Sequence, residues 1–177
     1  MIIALVLQLA VATPSPLHIE QQDTTRRRPR AIEVSEWYGR RLTIHRTLSY
    51  AMLPVFTAQY VAGSKLYDAE NGGAPAPSWA RPVHQVGAGA ISGIFGVNTV
   101  TGLWNLWDSR HTQEHRWLRY THAAVMLGAD AAFAYTGIKL SQEAENSQEK
   151  RRQHRQVALI AIGASTASGI VMKIFNR

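Results

Sequence analysis

The sequence predicts an all-α integral membrane protein, an up-down-up-down four-helix bundle, on three observations. Four apolar stretches are long enough to cross a membrane, the connections between them are polar, and a histidine stands at or near the start of each. The stretches read TIHRTLSYAMLPVFTAQYVAG with His45, VHQVGAGAISGIFGVNTVTGLWNL with His84, LRYTHAAVMLGADAAFAYTGI with His122 and HRQVALIAIGASTASGIVMKIF with His154. Residues 47–64, 83–107 and 156–172 contain no Asp, Glu, Lys or Arg, and 120–138 contain only Asp130. Runs of about 18 to 25 such residues cross roughly 30 Å of hydrocarbon as helices. Their Gly, Ala and Ser content suits helices that pack on one another rather than face lipid all round. A soluble bundle is the competing architecture, but no sustained a/d heptad with charged e/g flanks supports it.

The 177 residues allow one domain. Mean hydropathy is slightly below zero because the polar residues gather in the first forty positions and in the connections. Residues 1–12, MIIALVLQLAVA, resemble a secretory signal peptide ending in Ala10-Val11-Ala12, with cleavage near Thr13, although no basic residue precedes the apolar run. Residues 13–40 read as a flexible tail and interfacial entry: up to Arg30 they are rich in Pro, Gln, Thr and Arg with little to bury, then Trp37 and Tyr38 meet Arg40 and Arg41 at the membrane surface.

The bundle occupies 41–177. Helix 1 is expected over 42–66, with Pro54 near its middle as a kink. A turn-rich loop, YDAENGGAPAPSWARP, leads to helix 2 over 82–107. Gly87, Gly89, Gly93 and Gly96 there admit another backbone, or a porphyrin face, at close range. A polar hairpin, DSRHTQEHR, holds the solvated His111 and His115 and precedes helix 3 over 117–140. SQEAENSQEKRR reads as a solvated connection to helix 4 over 154–176. Short connections make consecutive helices antiparallel neighbours.

The formal charge of +7 is not a nucleic-acid signature, because the basic residues cluster at helix ends, where they meet anionic lipid. Lys and Arg number twelve on the side of the tail and seven on the other, favouring a cytoplasmic tail; a cleaved signal peptide places the tail outside, in the plasma or inner membrane of a bacterium, and this second placement is the one expected. Without cysteine there are no disulfides, thiolate metal sites, iron–sulfur clusters or covalent haem. Histidine is the remaining natural metal ligand.

Alternating helix direction sorts the histidines. His45 and His122 fall on one membrane side, His84 and His154 on the other, each pair on helices diagonal in the bundle. Two imidazoles on opposing helices form the axial-ligand set of a low-spin b-type haem. His154, in KRRQHRQ, has the least distinctive surroundings, since it could simply extend a basic cluster. Arg46, Arg119 and Arg155 lie near these histidines as candidate propionate partners, with positive-inside flanking as the competing role. Asp130, costly at membrane depth unless paired, is expected to bond a helix 2 amide such as Asn98 or to support a haem ligand. Tyr50, Tyr60 and Tyr135 read as packing residues.

With these histidines in LTIHRTLSY, RPVHQVGAG, RYTHAAVML and RQHRQVALI, the chain resembles the four-helix core of the cytochrome b561 family over about 42–176. The resemblance implies two b haems near opposite membrane faces, one held by His45 and His122 and the other by His84 and His154. The family usually adds two flanking helices that these residues do not include. The ascorbate-contacting features of its eukaryotic members are not recognisable, so the electron donor does not carry over. The expected function is transmembrane electron transfer, with haem iron as the metal, between an unknown donor and acceptor such as a quinone or a redox protein. An electron-transfer protein fits better than a stand-alone enzyme, and membrane lipid and a second copy of the chain are the other expected partners. A cofactor-free accessory or assembly protein is the first alternative, and a His/Asp metal-ion site the second.

Overall fold

A computed structural model describes residues 35–175. All of the regular structure in this range is helical: α1 (Glu36–Glu70), α2 (Ala80–Asp108), α3 (Arg116–Tyr135), a π-helical turn (Thr136–Leu140), α4 (Ser141–Asn146) and α5 (Gln148–Phe175). The expected signal peptide and most of the expected tail lie outside the described residues, as does Asn176.

Three stretches are long and apolar enough to cross a membrane, Ala80–Asp108, Arg116–Asn146 and Gln148–Phe175. Large apolar side chains on them point away from the protein, among them Val86, Ile138 and Ile160, each more than 70% exposed. An apolar exterior on long apolar helices is compatible with a multi-pass membrane protein. The first helix, expected to be a fourth span, does not meet that composition.

α1 begins six residues earlier than expected. Ser35 sits in the extended region and its hydroxyl accepts from the Tyr38 N–H at 3.2 Å, while Glu36 places a carboxylate in the first turn. Pro54 lies inside this helix, which continues to Glu70. The chain then turns through Gly72 at φ +90°, a conformation that suits glycine, and the Asp68 carbonyl accepts from Asn71 and Gly73. Pro82 falls in the first turn of α2, where a missing N–H costs nothing.

The connection expected as a solvated loop before the fourth long helix is largely helical. Its Glu, Gln, Lys and Arg are good helix formers, and the break is a single extended residue, Ser147. The Ser147 hydroxyl accepts from the Lys150 N–H at 3.3 Å, and Lys150 pairs with Glu143 at 3.2 Å across the break. α5 therefore starts at Gln148, six residues before the expected start, and His154 stands in its second turn.

α1 packs along α2 and α3 along α5, with further contacts of α2 to α3 and α1 to α5. Cross-links show α1 running opposite to both α2 and α5. Arg41, early in α1, bonds Asn105 at 3.0 Å and pairs with Asp108 late in α2. Glu70 at the other end of α1 reaches Arg81 at 3.9 Å and Arg151 at 2.5 Å, and Gln148 donates to Asn71 at 2.9 Å. The core gathers Met52, Phe56, Ile91, Phe95 and Ala129, flanked by Phe133, Met126 and Ile162. Phe133 stacks on Phe56 at 5.7 Å and meets Phe95 edge-on at 4.9 Å.

Replacing Phe95 by Ala should leave a cavity that nothing nearby can fill and cost about 3–5 kcal/mol. Denaturant unfolding of the detergent-solubilised protein measures this, with Ile138→Ala, on an outward-facing side chain, as the near-neutral control.

Candidate functional site

The four helix-leading histidines come together as two pairs. The His45 and His122 rings lie with centroids 6.4 Å apart and planes at 77°, and those of His84 and His154 lie 6.2 Å apart at 51°. All four side chains are half-buried. The pairs form across α1 and α3 and across α2 and α5, helices that are not packing neighbours.

The register of α1 on α2 produces this arrangement. A Cβ added at Gly102 would stand 3.0 Å from His45 Cε1, and one at Gly63 would stand 3.1 Å from His84 Cε1. His45 is thus level with Gly102 and His84 with Gly63. Each histidine lies eighteen residues before the glycine on its own helix, so the two ring pairs are separated by roughly 27 Å along the helices at about 1.5 Å per residue. This is close to a hydrocarbon thickness of about 30 Å.

Of the four glycines expected to make close contacts in α2, only Gly87 does so, and the two that meet the imidazoles, Gly102 and Gly63, were not among them. At Gly89, Gly93 and Gly96 an added Cβ meets nothing within 4 Å; of that set only Gly87 is crowded, with Gln59 Oε1 at 2.8 Å. Glycine spacing showed that a helix could approach closely. Which face receives a ring depends on the partner's register, and that was not visible in α2 alone.

The outer nitrogens of the first pair are held. His45 Nδ1 lies 3.1 Å from the Asn98 carbonyl and 3.3 Å from Thr101 Oγ1, whose own proton goes to the Val97 carbonyl at 2.8 Å. A carbonyl oxygen only accepts, so Nδ1 carries the proton and Nε2 keeps its lone pair. His122 Nδ1 meets the Ser168 hydroxyl at 2.8 Å. In the second pair the Gln59 carbonyl lies beside the His84 ring and the Thr136 carbonyl beside His154, while both Nδ1 atoms are buried without a closed hydrogen bond. Thr101, Ser168, Thr136 and Gln59 are short or uncharged polar residues with no sequence signal beyond their position relative to a histidine.

No family model matches the chain, and neither does any curated protein or solved structure. The chemistry is therefore read from the geometry. A first-row metal bonds an imidazole nitrogen at about 2.0–2.1 Å, with that nitrogen about 1.2 Å from the ring centre, so trans imidazoles place their centroids about 6.4 Å apart. The two pairs, at 6.4 and 6.2 Å, lie near that spacing. No group of three or more His, Cys, Asp or Glu side chains able to hold a metal ion occurs among the described residues. Each pair offers two ligands, too few for a bare ion and enough for one already held in a planar macrocycle.

The other candidate residues are distributed as follows. Arg119 is occupied with the α2–α3 connection, donating to the carbonyls of Thr112 and Glu114 at 2.6 Å and of Ser109 at 3.4 Å. Arg155 lies over the Tyr67 ring at 4.5 Å, and Arg46 is exposed. Asp130 accepts from the Thr99 hydroxyl rather than from Asn98, leaving its Oδ1 buried and unpartnered. The Asn98 side-chain amide donates to Ser49 Oγ at 3.2 Å, and its backbone carbonyl serves His45. His111 and His115 are exposed, and His115 stands at the N-terminal boundary of α3 at φ +48° without a side-chain cap bond. His18 lies outside the described residues.

Thr99→Val removes the one hydroxyl that satisfies Asp130 and should lower stability by about 1–3 kcal/mol. Combining it with Asp130→Leu should recover part of that loss, because no polar group is then stranded. Thermal unfolding in detergent distinguishes the two variants; equal loss in both would show that Thr99 acts through packing alone.

Proposed function

We propose that the protein is a multi-pass membrane protein carrying electrons between the two faces of the bilayer through two b-type haems. His45 and His122 hold one and His84 and His154 the other. The observation that carries this is the pairing of four histidines from four helices at centroid separations of 6.4 and 6.2 Å. The separation of the pairs by roughly one hydrocarbon thickness supports it further.

The residues fit the group. Gly63 and Gly102 leave room for the rings, and the Asn98 carbonyl fixes on His45 the tautomer in which Nε2 can ligate. When bound by these histidines, haem would supply one-electron chemistry. The chain supplies ligand direction, an apolar surround and exclusion of water, with the Phe56, Phe95 and Phe133 cluster between the two levels. Arg46 and Arg155 are the basic residues beside the ligands available for propionates, while Arg119 is engaged with backbone carbonyls.

α1 serves as the fourth span. Its Thr43, Ser49 and Thr57 hydroxyls donate to carbonyls four residues back, at 3.0, 2.7 and 2.9 Å. A hydroxyl satisfied by its own helix is tolerated at membrane depth. A donor such as a quinol or redox protein reaches one face and an acceptor the other, and the electron's passage couples to the membrane potential at about 2.3 kcal/mol per 100 mV.

The purified protein, reduced with dithionite, should show sharp α and Soret bands, and pyridine haemochrome should count two haems per chain. His45→Ala and His84→Ala should each abolish one haem and spare the other. A folded preparation that binds no haem when haem is supplied would refute the proposal and favour a cofactor-free accessory protein.

A further inference from the structure

One register repeats in all four long helices. Seven residues after the histidines stand Met52, Ile91, Ala129 and Ala161, every one buried. Fourteen residues after them stand Gln59, Asn98, Thr136 and Ser168. Fourteen residues is close to four helical turns and eighteen is five, so all these positions share the histidine's face. In each antiparallel couple the residue at plus fourteen lies beside the neighbour's histidine: Asn98 by His45, Ser168 by His122, Gln59 by His84 and Thr136 by His154.

We propose that each long helix serves both haem sites, giving an axial histidine to one and, through its plus-fourteen residue, a seat for the neighbour's histidine to the other. This rests on the haem binding proposed above. On α1 and α2 the seat is a backbone carbonyl with a glycine one turn further on, so that the ring lies against the helix surface; His45 Nδ1 bonds the Asn98 carbonyl, while the Gln59 carbonyl lies beside His84 without a closed hydrogen bond. On α5 it is Ser168, whose hydroxyl lies 2.8 Å from His122 Nδ1 and whose backbone carbonyl also lies beside the ring. On α3 the Thr136 carbonyl occupies the start of the π-helical turn, where it accepts the Ser141 N–H one residue later than in an α-helix. Carbonyl and hydroxyl oxygens have a second lone pair, so each can serve the imidazole without abandoning its helix. These are positioning residues: they set tautomer and ring direction, and a proton donated from Nδ1 makes the ligand more basic.

The arrangement has a crossed signature. α2 carries His84, yet Gly102→Ala should damage the His45/His122 haem and spare the other. Gly63→Ala, on the helix of His45, should damage the His84/His154 haem. Ser168→Ala lies on the helix of His154 and should leave two haems per chain while raising the midpoint potential of the His45/His122 haem alone; Ser168→Thr should restore it. Each haem is titrated singly in the His84→Ala or His45→Ala background, using the full-length protein in detergent. If the glycine variants do not fold, the potential shift in Ser168→Ala decides. Damage on the same helix as the ligand, equal damage to both sites, or an unchanged potential in Ser168→Ala would overturn the crossed seats while leaving the haem count at two. A wild-type chain without haem would overturn the function itself.

Discussion

The close approach of α1 to α2 sets the rest of the structure. Eighteen residues make five helical turns, so a histidine and a glycine at that spacing lie on one face. Two such helices laid antiparallel then place each imidazole against the other's glycine, at both ends and in a single register. Had the helices slipped by one residue, both rings would meet a side chain instead of a gap. The contact therefore fixes the register, and the register brings His45 toward His122 and His84 toward His154.

Polar groups in this interior are settled locally. The buried hydroxyls of Thr101 on α2, Thr136 in the π-helical turn and Ser165 on α5 donate to carbonyls of their own helix or the one they continue, which removes most of the desolvation cost of burying them. The exceptions tie helices together. Asn98 gives its side chain to Ser49 and its carbonyl to His45, Thr99 bonds Asp130, and Arg41 joins the ends of α1 and α2 while lying 4.9 Å from the Trp104 ring centre. The half-buried cross-links Asn98–Ser49 and Thr99–Asp130 are partly shielded from solvent, so they resist sliding of one helix past another more firmly than exposed ones do.

The helices, their order and the sorting of the histidines were legible because they follow from charge-free runs and chain direction. Hydrophobic length marked α2, α3 and α5, and alternation separated His45 and His122 from His84 and His154. Boundaries were less visible. Ser35 and Ser147 extend α1 and α5 through cap bonds, and the charged run before His154 has high helix propensity as well as solubility. The seats were not legible at all. Ser168 resembles any small residue of a membrane helix, and Asn98 acts on His45 through its backbone, to which its side chain contributes nothing. Asp130 needed a partner, as expected for a buried carboxylate, but the sequence offered several hydroxyls and amides at that depth and only the α2–α3 rotation selects Thr99.

The number of ligands at each end discriminates between a bare metal ion and a haem. A structural ion in a protein usually requires four donors and a catalytic one at least three. Each end of this molecule brings two histidines to ligand spacing, with no third His, Cys, Asp or Glu grouped with them among the described residues. A metal at either end would need further donors from outside the chain, which is why the proposed occupant is a haem that would bring its own. Interfacial histidines without a cofactor face the opposite difficulty. They would have no reason to turn inward in pairs, to rest against glycines at both ends, or, at the His45/His122 end, to have a hydrogen-bond partner behind each ring. Rings directed only by solvation would point to the headgroups, where water satisfies both nitrogens at little cost. Inward pairing at both ends takes the rings from water with nothing polar between them, a cost that the proposed haem ligation would offset.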